Sequence, residues 1–254
     1  MNNNNLLDFR CNTTINSAGG FCNHVIRNIF CSIFAKKHDI VFTYSYYNEI
    51  KELGIELYTS GKKYYSNNIK VNDNEHFFKL LNKTSLNYNI FVLECFFQSP
   101  EYANYLREYL SSEDIKQNII NKNIFNDRYN KNNDLFIHVR LSDAVQYNHG
   151  FDYYDNVLQE LEFENGFISS DEIDHEICSS LIKKYNLQVI QYNEVQTIMF
   201  GSTCKYIVLS NGTFSWMIGI LGWFSKIFYP DPKLINSWHG DIFIFDDWKK
   251  IIYK

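Results

Sequence analysis

The chain has 254 residues and a formal net charge of −5, and 45% of its residues are apolar and 17% aromatic. A chain of this length can bury a substantial core, and the apolar content excludes a largely disordered protein. The acidic balance lacks the broad basic surface of nucleic-acid-binding proteins, so no nucleic-acid partner is expected. A local cluster of positive groups could still bind an anion.

The start of the chain, MNNNNLLDFR, has neither the basic segment nor the apolar run of a secretory signal. The most apolar later segment, FSWMIGILGWF at 214–224, is too short to span a bilayer. The six cysteines show no CxxC spacing, and reduced thiols are favoured over disulfides. These features predict a cytoplasmic protein without a transmembrane segment, and they leave its oligomeric state open.

The first half of the chain has an α/β pattern. In AGGFCNHVIRNIFCSIFAKKHD the apolar residues recur at helical spacing; Gly19 and Gly20 open this predicted helix, and Lys36 and Lys37 close it. DIVFTYSY predicts a buried strand, EHFFKLLNK a short helix, and NYNIFVLECFFQS contains another strand. Residues 100–131 read as polar helix followed by a linker, which predicts domains at 1–131 and 132–254.

The second half alternates strictly between strands and helices. The predicted strands are DLFIHVRL, GFISSD, LQVIQY, KYIVLS and KIFYP, each separated from the next by a helical segment. Such alternation with short connections is typical of a parallel, doubly wound sheet. Ligands of these sheets bind beyond the carboxyl ends of the strands, so the polar residues that follow each strand are the candidate site.

The strand DLFIHVRL ends in His138 and Arg140, with Asp143 close behind. Arginine presents a planar fork of donors that suits bidentate contact with a phosphate. The alternative is a surface arginine paired with Asp143 and a buried, satisfied His138.

A second candidate is SNGTFSW, at the turn into a helix. Free backbone N–H groups and the helix dipole favour an anion there, and glycine allows close approach; the alternative is an ordinary capped helix start. The residues concerned are Ser210, Asn211, Gly212, Thr213, Phe214 and Ser215.

Two further segments are candidates for ligand binding, one at a helix start and one at a strand end. The turn AGGFCNH opens a helix and presents Asn23. The strand end ISSDE carries Ser170 and Asp171, whose carboxylate could accept hydrogen bonds from a nucleoside; the alternative is a capping box with Ser170 as the cap. There is no GxxxxGK[ST], no GxGxxG, no metal-binding Asp-x-Asp strand end and no zinc spacing, so a site without a metal is predicted.

Five segments in order resemble motifs of the α-1,2-fucosyltransferase family. GGFCNHVIRNIFCSIFAKKHDIVF is similar to its Gly-Gly-x-Gly-Asn-Gln turn and helix, and HVRLSDA to its His-x-Arg-Arg-Gly-Asp motif. FDYYDNVLQEL resembles the tyrosine-rich helix, FISSDE the Ser-Asp-Asp strand end, and LSNGTFSWMIGILG the Ser-Asn-Ser-Thr-Phe-Ser-Trp-Trp motif. The resemblance covers roughly residues 17–245.

The resemblance implies a GT-B-like fold of two facing Rossmann-like domains with parallel sheets. The N-terminal domain would lie on the acceptor side, and the C-terminal domain would bind the donor, with the last helix packing back on the N-terminal domain. The implied activity is an inverting, metal-independent transfer of fucose from GDP-fucose to an oligosaccharide or glycoconjugate, without a cofactor.

The resemblance also implies roles for individual residues. Arg140 would contact the β-phosphate and stabilise the departing diphosphate, and His138 and Asp171 would contact the guanine. Ser210 to Ser215 would hold phosphate oxygens, while Gly19, Gly20 and Asn23 would face the donor, with Asn23 and Arg140 as the catalytic residues.

The chain departs from the family's motifs at several positions. In the His-x-Arg-Arg-Gly-Asp motif, Leu141 and Ser142 replace the second arginine and the glycine. The Gly-Asn-Gln triplet reads Cys22-Asn23-His24, and Met217 replaces the second tryptophan of the last motif. Two alternatives therefore stay open: a transferase that uses another nucleotide sugar, and a non-catalytic nucleotide- or sugar-binding module. No general base is assigned, although His24, Asp8 and Glu94 are candidates.

Overall fold

The computed structural model describes residues 12–14, 19–231 and 242–252. The chain forms two compact units, Met1–Lys51 with Ile55–Phe97 and Glu52–Gly54 with Gln98–Lys254. The division after Phe97 differs from the boundary predicted at residue 131. The polar helical segment belongs to unit 2 because its side chains bond within that unit: Asn123 Nδ2, for example, donates to the Met199 carbonyl at 2.9 Å.

Unit 1 contains a four-stranded parallel sheet in the order β2-β1-β4-β3. Its strands are β1 Asn12–Thr14, β2 Phe42–Thr43, β3 Asn68–Val71 and β4 Asn89–Val92. Its helices are α1 Phe21–His38 and α3 Asn74–Leu81, and α2 Tyr47–Glu52 ends at the border between the units. DIVFTYSY forms a shorter strand than predicted: β2 ends at Thr43, and the backbone turns at Tyr46, which has a φ of 52°.

Unit 2 contains a six-stranded parallel sheet in the order β10-β9-β8-β5-β6-β7. Its strands are β5 Leu135–Val139, β6 Gly166–Ser170, β7 Gln188–Val189, β8 Tyr206–Val208, β9 Lys226–Pro230 and β10 Lys249–Ile251. Its helices are α4 Pro100–Ser111, α5 Glu113–Lys122, α6 Gly150–Leu158, α7 Glu176–Tyr185, α8 Glu194–Gly201 and α9 Gly212–Ile220. Two 3₁₀ turns span Asn126–Arg128 and Ser142–Tyr147.

The order of these strands defines a topological switch point. From β5 the chain builds outward through β6 to β7, then crosses back to β8 on the other side of β5 and continues to β9 and β10. This is the strand order of Rossmann folds, whose topological switch point lies between the first and fourth strands. The predicted α/β class with a parallel sheet is confirmed, and the switch point lies between β5 and β8.

Strand β5 lies in the hydrophobic core of unit 2. All five residues of β5 are buried, as expected for a strand with both faces covered by helices. On α6, Tyr153 and Tyr154 are fully buried, and Tyr153 Oη donates to the Leu209 carbonyl at 2.7 Å. The tyrosine-rich helix therefore satisfies the backbone just after β8.

The end of the chain differs from its prediction. Residues 242–252 contain no helix, and instead Lys249–Ile251 pairs in parallel with β9 inside unit 2. Arg107 on α4 fixes this segment through two hydrogen bonds to Asp247, at 2.6 and 2.5 Å. The predicted last helix that packs on the N-terminal domain is therefore wrong for residues 242–252; residues 232–241 lie outside the described part.

Among residues 19–231 and 242–252, no helix combines the length and apolar character that crossing a membrane requires. Five cysteines belong to the described residues, and all five are buried free thiols. They are Cys22, Cys31, Cys95, Cys178 and Cys204.

A close backbone approach in unit 1 gives a test of the fold. The backbone N–H groups of Lys62 and Lys63 both donate to the Asp39 carbonyl. A Cβ on the preceding Gly61 would lie 1.8 Å from the Ile40 carbonyl oxygen. We expect Gly61→Ala to lower the free energy of unfolding by about 1–3 kcal/mol, measured by urea denaturation. Gly20→Ala, where a Cβ meets nothing within 4 Å, is the control; equal losses in the two variants would contradict this packing.

Candidate functional site

The end of β5 places Arg140 at the switch point of the six-stranded sheet. The strand is buried up to Val139, and the Arg140 side chain emerges with 33% of its surface exposed. The end of β5 thus presents a partly exposed guanidinium.

Two carboxylates flank Arg140. Its Nη2 donates to Asp143 Oδ1, and its Nε lies 3.7 Å from Asp171 Oδ2. The alternative interpretation from sequence, an Arg140–Asp143 pair, is therefore present. These contacts use Nε and Nη2, and no acceptor among the described residues engages Nη1. Arg140 could donate a hydrogen bond from Nη1 to a ligand without breaking either contact.

Asp171 also fixes the backbone of this corner. Its Oδ1 accepts the Leu141 backbone N–H at 2.8 Å, while its Oδ2 faces the arginine. Asp171 thus orients Arg140 from the neighbouring strand β6. Both of its oxygens already face protein groups, so its predicted contact with a nucleoside would have to share them.

Sequence reasoning missed Asn148. Its Nδ2 donates to the Arg140 carbonyl at 2.7 Å, and its Oδ1 accepts the Gly150 N–H at 2.8 Å. Asn148 therefore links the end of β5 to the start of α6. An asparagine two residues before a helix-opening glycine is a recognisable turn signal, but nothing in the sequence indicates that it reaches the arginine.

His138 joins β5 to the start of α9. Its ring is 5% exposed, and Nδ1 lies 2.5 Å from Ser215 Oγ, which also accepts the Ser210 N–H at 3.0 Å. Burial, and then the charge of Arg140, lower the pKa of His138 to about 3. His138 is therefore neutral at physiological pH and acts as a hydrogen-bonding group.

The start of α9 is not capped by a side chain. The Asn211 side chain donates to the Tyr147 carbonyl instead of accepting from the first turn of the helix. The ordinary capped start that the sequence left open is therefore absent, so the N–H groups of the first turn have no side-chain acceptor. Gly212 has a φ of 86°, and a Cβ there would meet nothing within 4 Å, so the backbone is open to close approach.

The Ser210 hydroxyl lies beside this helix start. Ser210 is 1% exposed, and within the described residues its Oγ has no hydrogen-bond partner. Thr213 and Phe214 belong to the same first turn, and the Phe214 ring lies 5.0 Å from the His138 ring. A buried hydroxyl and uncapped amides thus stand together at one helix end.

The capping box at Ser170, which the sequence left open as the alternative, is not present. Ser170 Oγ accepts the Glu172 N–H at 3.1 Å, but α7 begins only at Glu176, and its cap is His175. The connection after β6 is longer than the capping pattern allows, so Ser170 closes a local turn beside Asp171.

The remaining predicted residues lie in unit 1, at the start of α1. Gly19 has a φ of 110°, Gly20 is the N-cap without a side-chain cap, and the Asn23 N–H donates to the Gly20 carbonyl at 3.0 Å. The glycine-opened helix is confirmed, whereas the donor contacts proposed for these residues stay predictions.

The chemistry of the unit 2 crevice favours an anion. A guanidinium with a remaining donor edge and an uncapped helix start are both suited to phosphate-type oxygens. Among the described residues, no group of three or more His, Cys, Asp or Glu side chains is arranged to hold a metal ion. We name this set the β5–α9 site: His138, Arg140, Asp143, Asp171, and Ser210 to Ser215.

No protein-family model matches the chain, and no curated protein matches it either. The resemblance to α-1,2-fucosyltransferases accordingly stands on the five motifs alone.

The Arg140–Asp143 pair leads to a prediction about anion affinity. Asp143 is 67% exposed, and its negative charge opposes that of a bound anion. We expect Asp143→Asn to raise the affinity for inorganic pyrophosphate about threefold or more, measured by calorimetry at low salt. Asp152→Asn makes the same charge change at an exposed position on α6. An equal gain in that control would show a general charge effect.

The low pKa of His138 makes stability depend on pH. The folded protein keeps His138 neutral down to pH of about 3, whereas in the unfolded chain it binds a proton below its ordinary value near 6.5. Acid therefore favours unfolding in this window. We expect the free energy of unfolding to fall below pH 6 more steeply in the wild type than in His138→Gln, by at most about 1.4 kcal/mol per pH unit. Identical slopes in urea denaturation would contradict the buried neutral state.

Proposed function

We propose that the protein is an inverting, metal-independent glycosyltransferase that moves fucose from GDP-fucose to a hydroxyl of an oligosaccharide or glycoconjugate. The observation that carries the proposal is the position of Arg140 at the switch point between β5 and β8, next to the uncapped start of α9. The sugar and the guanine base come from the family resemblance; the phosphate chemistry comes from the β5–α9 site.

The reaction explains what Arg140 would do. When the bond between the sugar and the β-phosphate breaks, negative charge accumulates on the departing diphosphate. A cation already aimed at that position stabilises the transition state more than the ground state, and so accelerates the chemical step. The first-turn amides of α9 would share this charge, and the Ser210 hydroxyl could donate to the same oxygens.

Positioning of the cation would depend on its neighbours. Asp171 holds the Leu141 N–H at 2.8 Å, and Asn148 holds the Arg140 carbonyl at 2.7 Å, so the backbone on both sides of the guanidinium is fixed. Such preorganisation reduces the rearrangement needed in the transition state. Asp143 is the exposed partner and the one that a phosphate would displace most easily.

The finer architecture belongs to this proposal as well. We propose that the two units correspond to the facing domains of a GT-B-like fold, with unit 2 binding the donor. Gly19, Gly20 and Asn23 would then contribute to the donor from unit 1, as the resemblance implies.

Replacing Arg140 tests the proposal. We expect Arg140→Ala to lower the transfer rate about a hundredfold or more, with Arg140→Lys also strongly impaired because a lysine lacks the planar fork. The assay is GDP release from GDP-fucose in the presence of a glycan panel. Lys184→Ala is the control, since Lys184 is a 47% exposed cation of the same unit that also pairs with a carboxylate, that of Asp155. Undiminished turnover by Arg140→Ala would refute the assigned role.

Two other functions remain candidates for specific reasons. The two carboxylates beside Arg140 favour a non-catalytic module that binds a nucleotide or a sugar, because they already balance its charge. Leu141, in place of the family's second arginine, favours a different nucleotide-sugar donor. Thermal-shift measurements with GDP, UDP, CMP and their sugars identify the ligand, and binding of GDP without any GDP release from a donor indicates the module.

A further inference from the structure

The charge of the chain is divided unevenly between its two units. Unit 1 has ten Lys and Arg residues against seven Asp and Glu, whereas unit 2 has fourteen against twenty-two. The net charge of −5 therefore arises from unit 2, at −8, while unit 1 has a net charge of +3. An excess of cations in one unit of an acidic chain favours a local contact with an anionic partner.

Five exposed lysines of unit 1 lie at the edge where its strands begin. The strand pairings of this sheet are parallel, so each helix brings the chain back to that edge before the next strand starts. Lys36 and Lys37 occupy the last turn of α1, and Lys83 follows the end of α3. Lys62 and Lys63 precede β3. We name these five exposed side chains the lysine face.

Hydrogen bonds hold these segments next to one another. His38 Nε2, at the end of α1, lies 3.2 Å from the carbonyl oxygen of Leu81, at the end of α3. The backbone N–H groups of Lys62 and Lys63 donate to the Asp39 carbonyl, just after α1. The backbone beneath the lysine face is therefore fixed by contacts between its segments.

The pKa of His38 reflects two of these cations. Burial is the largest cause that lowers this pKa, and the charges of Lys37 and Lys63 lower it further, against the opposing effect of the Leu81 and Leu80 carbonyls. Two lysines from different segments thus act on one imidazole, as expected if their charges lie close together.

The lysine face is not neutralised by ion pairs. Within the described residues, no carboxylate forms an ion pair with any of the five lysines, whereas Lys79 on α3 pairs with Glu75 at 2.6 Å. The carboxylate of Asp39, which follows α1 directly, accepts a hydrogen bond from the Tyr58 hydroxyl at 3.1 Å. The positive charge of the face is therefore available to an external partner.

Tyrosine rings lie among these lysines. Tyr64 follows Lys63 directly and is 65% exposed. Lys83 Nζ donates to the Tyr88 hydroxyl at 2.8 Å and lies 5.3 Å from the centroid of the same ring. Tyrosine is enriched where proteins meet a membrane surface, because its ring is apolar while its hydroxyl stays hydrated. Lysines with an exposed tyrosine between them match such a surface.

The choice of lysine favours lipid headgroups over nucleic acid. Lysine carries a point charge on a long apolar stem, so it can pair with mobile headgroups without a fixed geometry. Nucleic-acid binding depends more on arginine forks and on several stacking aromatic rings, and the five members of the lysine face include no arginine. An anionic membrane surface is therefore the partner that this face fits.

We propose that the lysine face docks unit 1 on an anionic lipid surface, with Tyr64 at the level of the headgroups. The 18 residues of α1 rise by about 27 Å from its glycine-opened start to the lysines of its last turn. Docking therefore leaves the opposite edge of this sheet, where its strands end, uncovered. The inference concerns unit 1 and does not rest on the proposed function.

Vesicle binding by the full chain tests the proposal. The probes are vesicles of phosphatidylcholine alone and of phosphatidylcholine with about 30% phosphatidylserine, followed by co-sedimentation at about 0.05 M and about 0.5 M salt. We expect binding to the phosphatidylserine vesicles at low salt, and loss of most of it at high salt because salt screens the attraction. Absence of binding at low salt, or equal binding to both kinds of vesicle, would overturn the proposal.

Replacement of three lysines locates the docking face. In Lys37→Gln/Lys62→Gln/Lys63→Gln the replaced side chains are exposed, and the bonds to Asp39 use only the backbone, so we expect an unchanged melting temperature. A lysine near an anionic surface contributes about fivefold to binding. We expect this triple variant to bind phosphatidylserine vesicles about tenfold or more weakly, and Tyr64→Ala about twofold or more weakly.

The matched control removes three exposed lysines of unit 2. Lys122→Gln/Lys183→Gln/Lys250→Gln changes the net charge by the same amount, so it separates an effect of the lysine face from an effect of total charge. We expect this control to bind within about twofold of the wild type. Equal losses in the two triple variants would show that the face has no special role, and the proposal would fail.

A nucleic-acid partner is the competing outcome. DNA and RNA oligonucleotides, single- and double-stranded, are added to the vesicle-bound wild type at low salt, and their direct binding is measured in both triple variants. Vesicle binding that persists in the presence of the oligonucleotides supports the lipid surface. Displacement from the vesicles by an oligonucleotide whose binding is lost in the lysine-face variant alone would identify a nucleic-acid face and overturn the proposal.

Discussion

The geometry of the β5–α9 site depends on one hydrogen bond, which the Leu141 backbone N–H donates to the Asp171 carboxylate. At 2.8 Å it ties the residue after β5 to the end of β6, across neighbouring strands that share a parallel register. The peptide before Leu141 carries Arg140, so the direction of the guanidinium follows from this bond. The same carboxylate then faces Arg140 Nε at 3.7 Å. One side chain thus fixes both the backbone and the charge.

A second connection sets the other wall of the site. His138 and Ser215 link β5 to α9 through a buried hydrogen bond, and Ser215 also receives the Ser210 N–H. Since these groups are neutral, the link contributes rigidity without adding charge to a crevice that already contains a guanidinium and two carboxylates. The uncapped amides of α9 therefore keep a fixed position relative to Arg140.

The sequence predicted the parts of the fold that depend on periodicity. Helices α1, α6, α7 and α9 and strands β5, β6, β8 and β9 correspond to segments whose apolar pattern or unbroken apolar run was clear. The parts it did not predict depend on tertiary contacts. Residues 98–131 join unit 2 through bonds such as that of Asn123 to Met199, and a polar segment gives no sign of such partners. Within the candidate site, the grouping of strand ends was predictable from topology. The hydrogen bonds that Asn148 donates to the Arg140 carbonyl and that Asp171 accepts from the Leu141 N–H were not.

Strand β10 covers the edge of β9 and so protects the six-stranded sheet from pairing with another molecule. It pairs along Phe228 to Pro230 of β9, a strand whose last four residues are buried. Without that pairing, the N–H and C=O groups of an apolar strand would form an open edge, which is the usual template for intermolecular sheet growth. At the opposite edge, β7 has only two residues, both exposed, and offers little to pair with. Loss of the Arg107–Asp247 contact that holds the final segment would therefore show first as aggregation, before any change in the chemistry at the other end of the strands.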